Sequence, residues 1–182
     1  YYQNVKHLRD PGDVDNWQKL KKYKHLIQKY ASQYGFDWLL ILATAFQESG
    51  LDHSRKSPAG AVGLMQVLPS TAKDNKVGIA DIQDLENNIH AGIKYLAFLR
   101  ERYFSQESIQ PRDRVRLTLA AYNAGPAKVR RMRKEATRMG LDPDRWFRNV
   151  ELAALKLVGQ ETVRYVSNIN KYYVLYKTIL SS

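Results

Sequence analysis

The sequence contains no cysteine. Disulfide scaffolds, zinc sites with cysteine ligands and thiol nucleophiles are therefore excluded. The absence of cysteine does not determine the cellular compartment, because such a protein is suited to oxidising and reducing surroundings alike. The four histidines show no HExxH or comparable metal spacing, and GxGxxG and phosphate-loop glycine patterns are absent. We therefore expect neither a metal ion nor a cofactor.

Long hydrophobic runs are also missing, and no apolar stretch approaches the roughly 20 residues that span a bilayer. Consecutive segments in which Val, Ile and aromatic residues alternate with polar residues do not occur. Such alternation is the usual signal of a sheet with one buried face. The sequence therefore predicts a mainly α fold with little or no β-sheet.

Acidic residues are fewer than basic ones: the chain has 18 Asp and Glu and 29 Lys and Arg, which gives a formal net charge of +11. This excess favours a polyanionic partner, such as nucleic acid, an anionic membrane surface or an acidic cell-wall polymer. Solubility alone is the alternative explanation. A nucleic-acid-binding module would have to use the arginine-rich segment 126–138, which is the one candidate for a recognition helix.

The length of 182 residues suits one domain. Residues 1–14 contain Pro11 and Gly12 without a periodic pattern, so a linker or tail is predicted there, followed by a single domain over 15–182. The chain begins at Tyr1 with neither a Met nor a signal peptide. We therefore expect a processed or excised portion of a longer protein.

Helix signals recur along this domain. Asp15 is a candidate N-cap for a first helix that Gly35 ends, and the almost wholly apolar segment 38–49 predicts a central helix that Gly50 ends. A tyrosine-rich helix is predicted to close the chain. Between them, further helices are predicted to begin at Pro69, after Asp84, at Pro111 and at Pro126.

Residues 41–50 read ILATAFQESG, an apolar run that ends in the carboxylate of Glu48. At the end of a buried helix an ionised carboxyl is poorly solvated, which predicts a raised pKa for Glu48. Two interpretations follow. Either a hydrogen-bonding partner offsets the free-energy cost of desolvating the Glu48 carboxylate, or the side chain serves as a general acid.

Three further stretches stand out from the helical background. They are GAVGLMQ at 60–66, AYNAG at 121–125 and ETVRYV at 161–166. Each also has an ordinary structural interpretation, with Met65 as core filler, Gly125 as a helix C-cap and Tyr165 as a packing aromatic residue. Singly, none of these stretches would support a function.

Together and in this order, the Glu-Ser helix end, the GLMQ loop, AYNAG and the late Tyr-Val resemble the lysozyme-like lytic transglycosylases, the SLT family related to goose-type lysozyme. The spacing and the basic C-terminal half are most similar to the membrane-bound lytic murein transglycosylase F subfamily. The sequence departs from the family pattern at 67–69 and at Val163. These departures affect the expected details of the substrate groove more than the expected class of reaction. The resemblance implies a lysozyme-like helical catalytic domain with a substrate cleft.

The resemblance also implies roles for individual residues. Glu48 would be the catalytic acid, Ser49 would help to orient the acid or the reacting sugar, and Tyr165 would lie close to Glu48. The remaining residues expected to bind substrate are Gly63, Met65 and Gln66 in the loop and Tyr122 and Asn123 at the end of a helix.

Glycoside cleavage usually employs two carboxylates. The candidates for a second one are Asp52, predicted to be a loop carboxylate, and Glu161, predicted to support the first turn of the last helix. Without a second carboxylate, the family chemistry lets Glu48 act as acid and then as base at the β-1,4 bond between N-acetylmuramic acid and N-acetylglucosamine, which leaves a 1,6-anhydromuramoyl end. A goose-type lysozyme-like hydrolase and a non-catalytic peptidoglycan-binding module are the alternatives.

The expected partners are therefore the glycan strands and stem peptides of peptidoglycan rather than nucleic acid. The basic segment 126–138 would either favour retention on peptide carboxylates or form a solvated face. We expect a monomer. The resemblance further implies a regulatory domain before Tyr1 and a periplasmic location at the outer membrane, through parts of the full-length protein outside this sequence.

Overall fold

The computed structural model describes residues 14–180, with side chains from residue 18 onward. The predicted N-terminal tail lies outside these residues except for Val14, at which the first helix begins. The helices, numbered in chain order, are α1 Val14–Tyr34, α2 Trp38–Ser49, α3 Pro69–Lys73, α4 Leu85–Tyr103, α5 Pro111–Ala124, α6 Pro126–Arg138, α7 Glu151–Val158 and α8 Glu161–Leu180.

Extended pairing within residues 14–180 is limited to two isolated antiparallel bridges, between Lys56 and Val62 and between Val62 and Val67. The predicted mainly α fold with little or no sheet is confirmed. None of the described helices combines the length and the apolar character needed to cross a bilayer.

Most helix ends follow the local signals of the sequence. Gly50 ends α2 in the left-handed region, with φ of 64° and its N–H donating to the Phe46 carbonyl at 2.8 Å. Asp84 caps α4, because its Oδ2 accepts from the N–H of Asn87 at 2.9 Å. The prediction that Asp15 caps α1 is wrong, since the helix already begins at Val14 and Asp15 lies inside its first turn.

The described residues form two compact units, 14–94 with 169–180 and 95–168, and each is treated by itself. In the first unit, α1 packs on α2, and two tyrosines of α8 support the end of α2. The Phe46 ring meets those of Tyr172 and Tyr176 edge to face, with centroids 4.8 and 6.5 Å apart. Such contacts fix the aromatic ring in the core and hold the last turns of α2 in place.

In the second unit, α6 packs against α5 and α7. The chain between α6 and α7 is irregular, because Phe147 has ψ of 125° and Arg148 has φ of 58°. Trp146 anchors this segment: its side chain is buried, and its backbone N–H donates to Asp113 Oδ1 at 3.0 Å. An irregular segment therefore separates α6 from α7.

Candidate active site

Glu48 is the penultimate residue of α2 and is half-buried. Residues 39–46 of the same helix are buried, so Glu48 comes two residues after a segment that lies in the core. Gly50 then turns the chain away. The side chain is thus carried by a rigid element and keeps part of its surface accessible, as a group that meets a substrate must.

Ser49 joins the end of α2 to the glycine-containing loop. It is 2% exposed, and its Oγ lies 2.8 Å from the Leu64 carbonyl oxygen and 3.0 Å from that of Ala45. The hydroxyl has a single proton, which the two acceptor carbonyl oxygens share or compete for. Ser49 therefore acts inside the protein, where it fixes the loop relative to the end of α2, next to Glu48.

The GLMQ loop is a tight turn closed by Val62 and Val67, which exchange two N–H···O bonds of 3.0 Å. Within it, Gly63 and Gln66 have positive φ, +79° and 49°. The Gln66 amide Nε2 donates to the carbonyls of Arg55 and Gly63 at 3.0 and 2.9 Å. Carbonyl oxygens can only accept hydrogen bonds, so these contacts show which end of the Gln66 amide is Nε2. The other end, Oε1, can accept from a further donor.

Asn88 of α4 binds the backbone of the same loop, and it was not among the residues predicted for the site. Its side chain has no exposed surface. Its Oδ1 accepts from the N–H of Met65 at 2.9 Å, and its Nδ2 donates to the carbonyls of Val62 and Ile82 at 2.8 and 3.0 Å. A polar residue among the inward positions of an amphipathic helix is the signal that could have identified it.

His53 is the second support of the loop, and no local sequence pattern identifies it. Its Nδ1 accepts from the N–H of Leu64 at 3.1 Å, and its Nε2 lies 2.7 Å from the Gln83 carbonyl oxygen. The neutral ring protonated at Nε2 satisfies both contacts. A Cβ on Gly63 would lie 2.5 Å from Asn88 Nδ2 and 2.8 Å from His53 Cε1. Glycine at position 63 therefore allows these two side chains to approach the backbone closely.

Met65 differs from its predicted place on a saccharide groove. The side chain is fully buried and packs on Gly92, where an added Cβ would lie 2.6 Å from Met65 Cβ. The hydrogen bond from its N–H to Asn88 turns this part of the loop inward. The interpretation of Met65 as core filler therefore describes its side chain, and Gln66 is the more exposed residue of the pair.

In the second unit, the AYNAG segment ends α5 beside the start of α8. Asn123 is half-buried, and its Oδ1 accepts from Thr162 Oγ1 at 2.9 Å, which leaves Nδ2 available for a further acceptor. The Tyr122 ring is tilted against that of Tyr95, with centroids 5.6 Å apart. Tyr165 is 5% exposed. Its proximity to Glu48 stays a prediction.

The two alternative carboxylates have local structural roles. Asp52 Oδ1 accepts from the N–H and Oγ of Ser54, at 3.0 and 2.6 Å, and this hydrogen bonding lowers the pKa of Asp52. Glu161 is exposed at the first residue of α8. The predicted positions, Asp52 in a loop and Glu161 at a helix start, are confirmed, and support of the first turn by Glu161 stays a prediction. Within residues 14–180, no three His, Asp or Glu side chains form a group able to hold a metal ion.

Comparison with known proteins agrees with the motifs. The profile of the family described as Transglycosylase SLT domain matches residues 25–142. Membrane-bound lytic murein transglycosylase F of Desulfosudis oleivorans is 40% identical over 172 residues, which cover 87% of this chain and 37% of that protein. The Shewanella woodyi protein of the same name is 38% identical over 173 residues, covering 88% and 34%. The chain thus spans about a third of the length of these relatives.

Solved structures show the same fold. Lytic transglycosylase Slt of Pseudomonas aeruginosa, determined as an inactive Glu-to-Gln mutant, has a TM-score of 0.72 and 26% identity, and the match covers 98% of this chain and 27% of that one. The 70-kDa soluble lytic transglycosylase of Escherichia coli has a TM-score of 0.62 and 29% identity, covering 87% and 24%. With motifs, profile and fold in agreement, the chain belongs to the transglycosylase SLT domain family.

Proposed function

We propose that this chain is a peptidoglycan lytic transglycosylase that cleaves the β-1,4 bond between N-acetylmuramic acid and N-acetylglucosamine, with Glu48 as the catalytic acid and then the base. One observation carries the proposal: a half-buried carboxyl ends the buried helix α2, and the next residue is hydrogen-bonded to the GLMQ loop. The names of the relatives support the reaction class, and the inactive Glu-to-Gln mutant of the Pseudomonas aeruginosa enzyme supports an essential glutamate.

The position of Glu48 suits a proton donor. Unsatisfied carbonyls give the C-terminal end of a helix a partial negative charge, which favours a neutral side chain over an anionic one. The preceding turn is apolar and buried, so little water is available on that side of the carboxyl. The proposed role requires a protonated Glu48 carboxyl, which can donate its proton to a leaving group.

In the first step, the Glu48 proton passes to the glycosidic oxygen. The C1–O bond of the muramoyl sugar then breaks, and the N-acetylglucosamine side leaves with a free 4-hydroxyl group. Positive charge develops at C1 of the muramoyl sugar, where the neighbouring N-acetyl oxygen can stabilise it. This internal group takes the place that a second carboxylate has in two-carboxylate glycosidases.

In the second step, Glu48 is a carboxylate and accepts the proton of the muramoyl C6 hydroxyl. The C6 oxygen bonds to C1, the ring closes to the 1,6-anhydro form, and Glu48 is again protonated. No water is consumed. One residue therefore serves both half-reactions, as microscopic reversibility permits.

We further propose that two amides bind the substrate. Gln66 has both Nε2 protons committed to backbone carbonyls, so its Oε1 would accept from a sugar hydroxyl. Asn123 has its Oδ1 committed to Thr162, so its Nδ2 would donate to a sugar or acetamido oxygen. Tyr122 would add a ring face against a sugar, with Tyr95 beside it.

A hydrolase of the goose-type class would release reducing ends by water attack. The carboxylate next along the chain, Asp52, is engaged by Ser54 in a turn, which supports cleavage without water. Mass spectrometry of purified sacculi digested with the chain separates the two reactions. We expect muropeptides lighter by one water than those of a lysozyme digest, and reducing-end products alone would contradict the proposal.

The proposed place of action is the periplasm, close to the outer membrane. The printed name of the relatives, membrane-bound lytic murein transglycosylase F, supports an envelope location. The proposed partners are glycan strands with their stem peptides. Equilibrium sedimentation of the chain would test the proposed monomer.

A further inference from the structure

A cleft of about 430 Å³ lies in the second unit, between the end of α4 and one face of α6. The α6 residues that line it recur at helical spacing, while Val129, Met132 and Ala136 on the other side of the helix are buried. We call this site the basic cleft; its lining includes Arg102, Tyr103, Phe104, Arg130, Arg133 and Lys134.

Arg133 forms a fixed wall of the basic cleft. Its Nε donates to the Pro143 carbonyl at 2.9 Å, and its Nη2 donates to Asp144 Oδ1 at 2.5 Å. The guanidinium carbon lies 5.9 Å from the centre of the Phe104 ring, a cation–π distance. The charge of Arg133 is therefore neutralised within the protein, and its role in the cleft is to shape it.

The other three cations of the basic cleft differ from Arg133. Among the described residues, Arg102, Arg130 and Lys134 have no salt bridge, and no Asp or Glu lines the cleft. Elsewhere on α6, by contrast, Arg138 is paired with Glu135. Like charges gathered without counter-charges repel one another, so this concave surface favours an anionic ligand.

We propose that the basic cleft binds the carboxylates of peptidoglycan stem peptides. Arg102 and Arg130 present planar guanidinium groups, which match carboxylates with paired hydrogen bonds, and Lys134 adds a mobile point charge. The Tyr103 ring supplies an apolar surface for the peptide's alkyl parts. The proposal rests on the proposed function for its choice of ligand, and it gives the protein a hold on the peptide in addition to the glycan.

The size of the basic cleft distinguishes this ligand from nucleic acid. A volume of about 430 Å³ suits a small ligand or a few residues of peptide, since such sites measure about 300–1,000 Å³. Nucleic acid instead engages a long basic surface that neutralises many phosphates in a row. A single concave site with three free cations accommodates a peptide carrying two or three carboxylates.

The test measures binding directly, in a Glu48→Gln background that cannot turn substrate over if the proposed function is right. The ligand is a synthetic stem-type tetrapeptide with free side-chain and C-terminal carboxylates, titrated calorimetrically into the 182-residue chain. The cleft variant is Arg130→Gln with Lys134→Gln. The matched control is Lys128→Gln with Arg131→Gln, which removes the same charge from exposed positions of the same helix outside the cleft lining.

We expect the cleft variant to weaken peptide binding by at least about 10-fold and the control by less than about 2-fold. The same peptide with its carboxylates amidated should not bind. Equal losses in both variants, or undiminished binding of the amidated peptide, would overturn the proposal. So would a single-stranded oligonucleotide that binds the cleft more tightly than the peptide. Because no turnover is measured, failure of the transglycosylase proposal would appear separately, in the sacculus digest.

Discussion

Ser49 Oγ lies 2.8 Å from the carbonyl oxygen of Leu64, and this contact joins the end of α2 to the GLMQ loop. Asn88 and His53 hold the adjacent backbone groups of the same loop. Three side chains from separate parts of the sequence therefore define one loop conformation. Substitutions of Ser49, of Asn88 and of the loop glycine Gly63 test this arrangement.

Ser49→Ala should lower the free energy of unfolding by about 1 kcal/mol, the usual worth of one buried hydrogen bond. The reason is that the Leu64 carbonyl would lose its donor in a buried setting. Thr178→Ala is the matched control, because the exposed Thr178 hydroxyl also donates to a carbonyl four residues back, and its loss should cost less than about 0.5 kcal/mol. Urea denaturation provides the measurement, and equal costs would contradict the predicted role.

Asn88→Asp should be more damaging, with a loss of at least about 2 kcal/mol. The substitution keeps the shape but turns the donating Nδ2 into an oxygen that faces the carbonyls of Val62 and Ile82. Asn87→Asp on the same turn of α4 is the control and should change stability by less than about 0.5 kcal/mol. Thermal and urea unfolding of both variants would check the difference. A tolerated Asn88→Asp would show that the loop does not depend on this side chain.

Gly63→Ala tests the close approach at the loop. Gly63 and Gly60 both have positive φ, at +79° and +88°, so alanine is strained at either position. The added Cβ clashes with Asn88 and His53 only at Gly63, since nothing described lies within 4 Å at Gly60. Gly63→Ala should therefore cost about 1–3 kcal/mol more than Gly60→Ala. Indistinguishable melting temperatures would argue against the clash.

The helix framework could be predicted from the sequence because its signals are local. Gly50, Pro111 and Pro126 mark their helix boundaries through their own backbone preferences, and Asp84 does so through a cap three residues long. With Asp15 as N-cap, α1 would begin at residue 16, two residues after its observed start at Val14, a difference that is usual at helix ends.

The supports of the site could not be predicted in the same way. Asn88 lies 23 residues from Met65, and His53 lies 30 residues from Gln83, so no local pattern connects the partners. The motif identified Met65 and Ser49 but carried no information on side-chain direction, and the structure buries both. Long-range contacts and orientation are properties of the packed fold, whereas the motif is a property of the chain.

Stability should also depend on pH through Glu135. Hydrogen bonds from Arg138, and next from Lys156, lower the pKa of Glu135 in the folded protein. The unfolded chain therefore binds more protons than the native protein in the range below the ordinary glutamate pKa of about 4.3. The stabilising contribution is present above that value and is lost as pH falls through the lower, folded pKa.

Glu135→Gln should remove that contribution, so the difference in unfolding free energy between the native sequence and the variant should shrink as pH falls from about 7 to about 3. Glu107→Gln is the control, because Glu107 is exposed and has no ion pair among the described residues. Urea midpoints across this pH range provide the measurement. A difference that stays constant with pH would contradict the assignment.

Whether Glu48 alone serves as acid and base is tested most directly by the release of 1,6-anhydromuropeptides from sacculi. The measurement compares Glu48→Gln and Asp52→Asn with the unchanged chain. We expect Glu48→Gln to lose at least about 100-fold in rate while its unfolding curve stays near that of the unchanged chain, as removal of a general acid–base group requires. Asp52→Asn should retain most activity. Substantial turnover by a folded Glu48→Gln variant, or loss of activity in Asp52→Asn, would contradict the account.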